Sequence, residues 1–175
     1  MFGSNVHWLI VALLKKWRMR LSDVTLVNMT PVEAYAAFRR GDVDAWGMWD
    51  PWFAQAESQL TSRLLAPSRG VINNYYFLMA TRVFAQKHAA VIRLIIDEFN
   101  KNGAWIKNNP DQVATHFSPY LGVSRKAMVT TVLRSSPTFY PISAQALENQ
   151  QQIADSLFER GVIPHRLNIN DWMLR

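Results

Sequence analysis

The sequence predicts an α/β fold in the first part of the chain and a helical second part. Hydrophobic residues make up 49% of the chain and charged residues 18%, which is typical of a globular protein. Amphipathic helical patterns alternate with short β-branched and aromatic runs over residues 4–17, 23–28, 30–41, 44–49 and 51–60. Such alternation is typical of parallel strands joined by crossover helices. Short runs at 63–66 and 71–80 also read as strands, and the patterns beyond them are helical.

Capping signals set the predicted helix boundaries. Ser4 or Asn5 predicts the start of the first helix. Residues 30–33 combine a Thr cap, a Pro at the first position and a Glu three residues after the cap, and Gly41 ends that helix. Pro110, Ser124 and Ser143 open three later helices, and the tail at 167–175 reads as a short strand or an irregular segment. One long helix covers 89–107, with an inward face of Val91, Leu94, Ile95, Phe99, Trp105 and Ile106.

The stretch 43–53 is the most informative part of the chain. It reads as a strand that ends at Asp50, which caps a following helix with Pro51 at the first helical position. In an open α/β sheet, ligands bind just beyond the carboxyl ends of strands. Strand alternation places Trp46 and Asp50 on one face and Trp49 on the other. These three residues are therefore candidates for ligand binding, although Asp50 can also serve only as a helix cap.

The start of the first helix is a second candidate site, formed by Gly3, Ser4, Asn5, Val6 and His7. A helix N-terminus presents unpaired backbone N–H groups and the positive end of the helix dipole, so it can hold a small anion. Taken alone, plain N-capping is the simpler interpretation. Residues Asn74 and Tyr75 follow a predicted linker at 67–70 and are expected to line the same cleft.

Several classes of function are poorly supported by the sequence. None of the four His residues pairs with another His or a carboxylate at metal-ligand spacing, and no enzymatic motif is present, so no metal, no cofactor and no catalysis are expected. The absence of Cys excludes disulfides and thiol chemistry. The net charge of +6 permits anionic partners, but the densest basic run, 15–20, is better interpreted as a solvated helix end, with no nucleic acid as partner. No signal-peptide pattern and no membrane-spanning apolar stretch is visible.

The opening of the chain on a helix leads to an expectation about its extent. A βαβ unit requires a strand before Gly3, and the printed sequence has none there. We therefore expect that the sequence lacks its natural N-terminal part. An unpaired sheet edge left in this way favours pairing with another copy of the chain, so self-association is expected.

Seven short segments, in their order and spacing, resemble the substrate-binding proteins of ABC importers for alkanesulfonates, taurine and nitrate. The resemblance covers essentially the whole chain, and the segments are 3–7, 24–28, 40–46, 49–51, 73–75, 153–155 and 161–164. It implies a bilobed fold of the periplasmic binding protein type II, with a cleft for the ligand. Residues 1–66 would form the second lobe without its first strand. Residues 67–175 would form the return crossing and the helical C-terminal part of the first lobe, whose N-terminal part is absent.

The resemblance also implies a function. The chain would be the periplasmic solute-binding component of an ABC transporter, capturing a small sulfonate or related oxyanion for delivery to a permease. Ser4 and Asn5 would contact the oxyanion, and Trp49 and Asp50 would lie at the cleft wall near the hinge. Two alternatives stay open at this point: a binding protein for a pyrimidine or thiamine-precursor molecule, and a nonfunctional fragment of such a protein.

Overall fold

The computed structural model describes residues 3–173, in which eight α-helices and two short 3-10 helices follow one another. The α-helices are α1 (Asn5–Lys16), α2 (Pro31–Arg40), α3 (Trp52–Gln59), α4 (Arg82–Lys87), α5 (Ala89–Asn108), α6 (Pro110–Leu121), α7 (Arg125–Arg134) and α8 (Ala144–Glu159). The 3-10 helices cover Leu21–Asp23 and Ile169–Trp172, so the predicted tail is a helical turn rather than a strand, and its last two positions lie outside the described residues. None of the helices within 3–173 is long and apolar enough to cross a membrane.

The predicted helix starts are confirmed by their capping geometry. Thr30 Oγ1 accepts a hydrogen bond from the backbone N–H of Glu33, and the Glu33 carboxylate accepts one from the backbone N–H of Thr30 at 2.9 Å. The hydrogen bonds that the backbone N–H and the hydroxyl of Thr30 donate to the carboxylate lower the pKa of Glu33. Gly41 ends α2 at φ 80°, the left-handed conformation that glycine adopts without strain. Ser4, Ser124 and Ser143 cap α1, α7 and α8 through their side chains, as predicted.

The predicted strands are wrong as strands, because they form no β-ladder within residues 3–173. The runs concerned are 23–28, 44–49, 63–66 and 71–80. A strand requires the main chain of a neighbour for its hydrogen bonds, and residues 3–173 provide none for these runs. The run 44–49 instead packs its side chains on α1 and α2. A Cβ added at Gly47 would meet Val6 of α1 at 2.8 Å, and Trp46 stacks on Phe38 of α2 with ring centroids 5.7 Å apart. The structure therefore does not confirm the predicted α/β class.

The buried core joins α3 to α6 and α7. Ala114 and Ala127 are fully buried, and their small side chains allow the helices to approach closely. The buried side chain of Gln55 on α3 accepts a hydrogen bond at 2.9 Å from the backbone N–H of Ser124, at the start of α7. The other members of the core are Ala54, Val113, Val123, Met128 and Val132, with Trp52, Ile106 and Val129 packed against them.

The predicted inward face of α5 is largely exposed. The exposed fraction is 59% for Leu94 and 48% for Trp105, and Val91 and Phe99 are exposed as well, whereas Ile95 and Ile106 are half-buried. Helix α5 contacts α4, α6 and α7, which cover only part of its circumference. The hydrophobic pattern is that of an amphipathic helix, and a further part of that face is covered by Phe139, whose ring stacks on Phe99 with centroids 5.4 Å apart.

Candidate functional site

The first turn of α1 is organised by its own side chains. Ser4 Oγ accepts a hydrogen bond from the backbone N–H of His7 at 3.3 Å, and Asn5 Oδ1 accepts one from the N–H of Val6 at 3.0 Å. His7 Nδ1 accepts a hydrogen bond from the backbone N–H of Gly3 at 3.1 Å. Within residues 3–173, the backbone N–H of Asn5 has no acceptor. This amide is therefore the clearest donor left at the positive end of the α1 dipole.

The surroundings of His7 favour its neutral form. Burial, and after it nearby positive charge that includes Arg160, lowers the pKa of His7. The hydrogen bond from Gly3 agrees with this, because it requires an unprotonated Nδ1. His7 therefore supports the first turn of α1 as a hydrogen-bond acceptor and does not bring a positive charge to it.

Two candidate segments distant in the sequence meet at this turn. Asn5 Nδ2 donates a hydrogen bond to Asn74 Oδ1 at 3.2 Å, across 69 positions of sequence. The Tyr75 side chain contacts α8 instead. Its hydroxyl accepts a hydrogen bond from Asn149 at 3.3 Å, and its ring centroid lies 6.2 Å from that of Phe77. The structure thus brings Asn74, but not the Tyr75 side chain, to the start of α1.

The two candidate tryptophans have different surroundings. Trp46 packs on α2, with its ring centroid 5.9 Å from Tyr35 and 5.7 Å from Phe38. Its indole N–H is buried without a hydrogen-bond partner among the described residues. Trp49 is half-buried, and its backbone carbonyl accepts a hydrogen bond from the N–H of Phe53 at 3.1 Å. Trp46 is therefore part of the contact between the run 44–49 and α2, whereas the Trp49 ring has no aromatic neighbour within 3–173.

Asp50 is occupied by structural contacts. Its Oδ1 accepts a hydrogen bond from the backbone N–H of Ala54 at 3.0 Å and lies 3.5 Å from Nη1 of Arg134. The helix begins one residue later than predicted, at Trp52, with Pro51 in the cap position, so Asp50 binds the first turn from the position before the cap. The contact of Asp50 with the first turn agrees with the predicted capping role, whereas its predicted position as the cap residue is wrong.

Sequence reasoning missed the residue that ties Asp50 to the rest of the chain. Arg134, at the end of α7, lies 2.7 Å from Glu57 and places its guanidinium 5.5 Å from the ring centroid of Phe53. Together with the contact to Asp50, these interactions fix the start of α3 against α7. A single Arg at a helix end carries no recognisable signal, since basic residues at that position usually only complement the helix dipole.

Comparisons by sequence and by structure both find sulfonate-binding proteins. No protein-family model matches the chain. A putative aliphatic sulfonates-binding protein of Escherichia coli K12 is 28% identical over 168 residues, which is 95% of this chain and 53% of that protein. A putative aliphatic sulfonates-binding protein of Bacillus subtilis 168 is 26% identical over 85% of the chain and 45% of its own length. The taurine-binding periplasmic protein of E. coli K12 is 29% identical over 53% of the chain and 29% of its own length.

Two solved structures are similar to the whole chain. The periplasmic aliphatic sulphonate binding protein SsuA from E. coli has a TM-score of 0.93 at 27% identity, with 100% of this chain and 57% of that one matched. The alkanesulfonate-binding protein SsuA from Xanthomonas axonopodis pv. citri, bound to MOPS, has a TM-score of 0.87 at 26% identity, over 99% of this chain and 60% of that one. The resemblance noted in the sequence is thereby confirmed, and the chain spans about half the length of the curated relatives that it matches over most of its sequence.

Proposed function

We propose that this chain carries the anion-binding part of a solute-binding protein of an ABC importer, and that its solute is a small aliphatic sulfonate or a related oxyanion. The observation that carries the proposal is the hydrogen bond between Asn5 and Asn74, which joins two predicted binding segments at the start of α1. The names of the relatives supply the class of solute, since they are described as binding aliphatic sulfonates or taurine. No role in catalysis is proposed, because those relatives are binding proteins.

The chemistry of the α1 start suits a sulfonate better than a neutral heterocycle. A sulfonate carries a delocalised negative charge on three acceptor oxygens, which matches N–H and O–H donors at the positive end of a helix dipole. In our proposal the Asn5 backbone N–H, the Ser4 hydroxyl and the Asn74 amide contact these oxygens. Trp49, rather than Trp46, covers the apolar tail, because the Trp46 ring is already packed on α2.

The fold and setting of the whole protein are part of the same proposal. We infer that residues 1–66 and 67–175 belong to the second and first lobes of an α/β fold of the periplasmic binding protein type II. The similarity to SsuA over the whole chain supports this assignment. A periplasmic location and an ABC permease as partner are proposed from the same relatives, two of which are described as periplasmic.

The test is a thermal melt of the purified chain with taurine, alkanesulfonates, nitrate and sulfate. A ligand that binds only the folded state at about a hundred times its Kd stabilises that state by about 2.7 kcal/mol. In a chain of this length, that gain raises the Tm by about 5–10 °C. We expect such a shift with at least one sulfonate, and a panel in which no anion shifts the Tm would contradict the proposal.

The variant Asn5→Asp locates the site. It places a carboxylate at the α1 start, where it repels an anionic ligand but remains favourable to the helix dipole. We expect the sulfonate-induced shift to disappear while the Tm of the unliganded chain is kept or raised. Asn102→Asp on the exposed side of α5 is the matched control, and it should retain the shift. An equal loss of the shift in both variants would argue against the α1 site.

A further inference from the structure

Helix α1 ends in a turn that places an arginine in a left-handed backbone conformation. The N–H of Arg18 donates a hydrogen bond to the carbonyl of Lys15 at 3.1 Å, and the N–H of Met19 donates one to the carbonyl of Leu14 at 2.8 Å. These two bonds form a Schellman motif, in which Arg18 takes the left-handed position at φ 57°. Among residues 3–173 it is the only non-glycine residue with positive φ. At the ends of α2, α6 and α8 the corresponding residues are Gly41, Gly122 and Gly161. An arginine costs more free energy than glycine in this conformation, which indicates a role for its side chain.

Arg18 lines an open cavity of about 480 Å³ that the last turns of α1 share with the end of α8. Val11 and Leu14 of α1 provide its buried apolar surface. The other lining residues are four cations and two exposed apolar residues, namely Lys15, Arg18, Arg20, Arg160, Met19 and Leu21. No carboxylate is among the lining residues. The cavity therefore combines positive charge with an apolar surface and has the volume of a site for a small organic molecule.

Most of the cations at this cavity have no carboxylate partner. Arg20 is held by Asp23, whose Oδ1 lies 3.1 Å from its Nη2. The cations that form no ion pair within residues 3–173 are Lys15, Arg18 and Arg160. The negative ends of the α1 and α8 dipoles offset about one of these three charges, which leaves a surplus of about two. Such a surplus matches a dianion.

The charge of the segment 15–20 distinguishes it from the apolar runs that the chain leaves exposed. Four of its six residues are Lys or Arg, whereas the runs 24–28 and 71–80 carry no charged residue. Uncharged runs are suited to burial beneath further polypeptide, but the burial of unpaired cations is strongly unfavourable. The end of α1 therefore meets water or an anion, whatever covers the uncharged runs.

We propose that this cavity binds a phosphate monoester, at a site separate from the start of α1. Lys15, Arg18 and Arg160 contact the phosphate oxygens. Val11 and Leu14 contact the organic group of the ester. A guanidinium group suits this role, because it donates two parallel hydrogen bonds to a phosphate. A monoester carries close to two negative charges at neutral pH, so it balances the surplus charge better than a singly charged sulfonate does. The ester is either a soluble molecule or the headgroup of a phosphatidic acid lipid, since both have this chemistry.

The first test is calorimetric titration of the chain with phenyl phosphate and with inorganic phosphate. We expect one phenyl phosphate to bind per chain, with a Kd about tenfold lower than that of inorganic phosphate, because only the ester covers the apolar surface. Saturating taurine should not displace it, since Lys15 lies ten residues of helix, about 15 Å, from Asn5. The inference therefore does not depend on the proposed solute. Equal Kd values for the two phosphates, or displacement by taurine, would overturn it.

Sedimentation with phosphatidylcholine vesicles, with and without phosphatidic acid, distinguishes the two sources of the ester. A chain that sediments only with phosphatidic acid, and is released by phenyl phosphate, recognises the lipid headgroup. A chain that binds phenyl phosphate but stays in the supernatant recognises a soluble ester. Binding to neither phenyl phosphate nor the phosphatidic acid vesicles would overturn the proposal.

The variant Arg18→Gly separates binding from stability, because it removes the cation and relieves the left-handed backbone together. The Tm of the unliganded chain should rise by about 2–4 °C. The Kd for phenyl phosphate should rise by about tenfold or more, as expected for the loss of a hydrogen bond to a charged group. Arg69→Gly makes the same change at an exposed turn outside the cavity and should alter that Kd by less than about twofold. An unchanged Kd in Arg18→Gly would overturn the assignment. Equal increases in both variants would do so as well, since they would show that only net charge matters.

Discussion

Substituting Ala for Gly103 should destabilise this chain, against the usual effect of that change in a helix. Gly103 lies inside α5, where Gly→Ala ordinarily stabilises by about 1 kcal/mol. Here a Cβ would overlap the carbonyl oxygen of Pro137. That carbonyl is not free to retreat, because Asn100 exchanges two hydrogen bonds with Phe139, from Nδ2 to the carbonyl at 3.2 Å and from the backbone N–H to Oδ1 at 2.7 Å.

The magnitude follows from these opposing terms. Overpacking costs about 1–3 kcal/mol. Displacing the 137–139 segment loses two hydrogen bonds of about 1 kcal/mol each. After the propensity gain of about 1 kcal/mol, we expect a net loss near 3 kcal/mol, or about 6–12 °C in Tm for a chain of this length.

Urea unfolding at fixed protein concentration measures this loss as a lower midpoint at an unchanged m value. The control is Asn102→Ala, one position earlier on the exposed side of α5, where a gain in helix propensity of up to about 0.7 kcal/mol meets no clash. The control should leave stability unchanged within about 0.5 kcal/mol or raise it. A Gly103→Ala chain that is more stable than the unaltered one would refute the packing of Pro137 on α5.

Two further predictions concern buried polar groups. Gln55→Leu should cost about 1–3 kcal/mol, because the Ser124 N–H loses its acceptor, whereas Gln59→Leu on the exposed side of α3 should cost under about 1 kcal/mol in the same urea assay. Equal costs would disprove the link between α3 and α7. The pKa of His7 is lower in the folded chain than in the unfolded chain, so the unfolded chain binds a proton at His7 at a higher pH. The free energy of unfolding should therefore fall as the pH drops below about 6.5. His7→Asn should remove that slope, which cannot exceed about 1.4 kcal/mol per pH unit for one proton. An identical pH dependence of stability in the unaltered chain and in His7→Asn would contradict this role of His7.

The elements that could be predicted from the sequence are those fixed by neighbouring residues. The capping box of Thr30 and Glu33, the Gly41 stop and the Ser124 and Ser143 caps each depend on groups within a few positions of one another. Such local signals do not depend on the rest of the chain. The same holds for the Ser4 cap, which begins α1 where the sequence predicts it.

The elements that could not be predicted depend on groups distant in the sequence. The runs 44–49 and 71–80 have the composition of strands, but a ladder is a property of two segments, and the partner must be present for either to form. The exposure of one face of α5 could not be predicted for the same reason. A hydrophobic period indicates that a helix face is to be covered, but it does not identify the segment that covers it. The contact of Arg134 with Asp50 joins α7 to the start of α3, and it likewise could not be predicted from any local sequence pattern.

The two parts of the candidate site are held with very different strengths, and this difference bears on how a ligand would act. Asp50 is fixed by a helix cap and by Arg134 beside the buried core of α3, α6 and α7. The α1 start is joined to Asn74 by one exposed amide–amide hydrogen bond, which contributes about 1 kcal/mol at most. An anion that contacts both Asn5 and Asn74 would replace this weak link with charge-assisted hydrogen bonds, which are roughly twice as strong. Ligand binding should therefore order the α1 start and the run 72–80 together, while the region around Asp50 stays as it is.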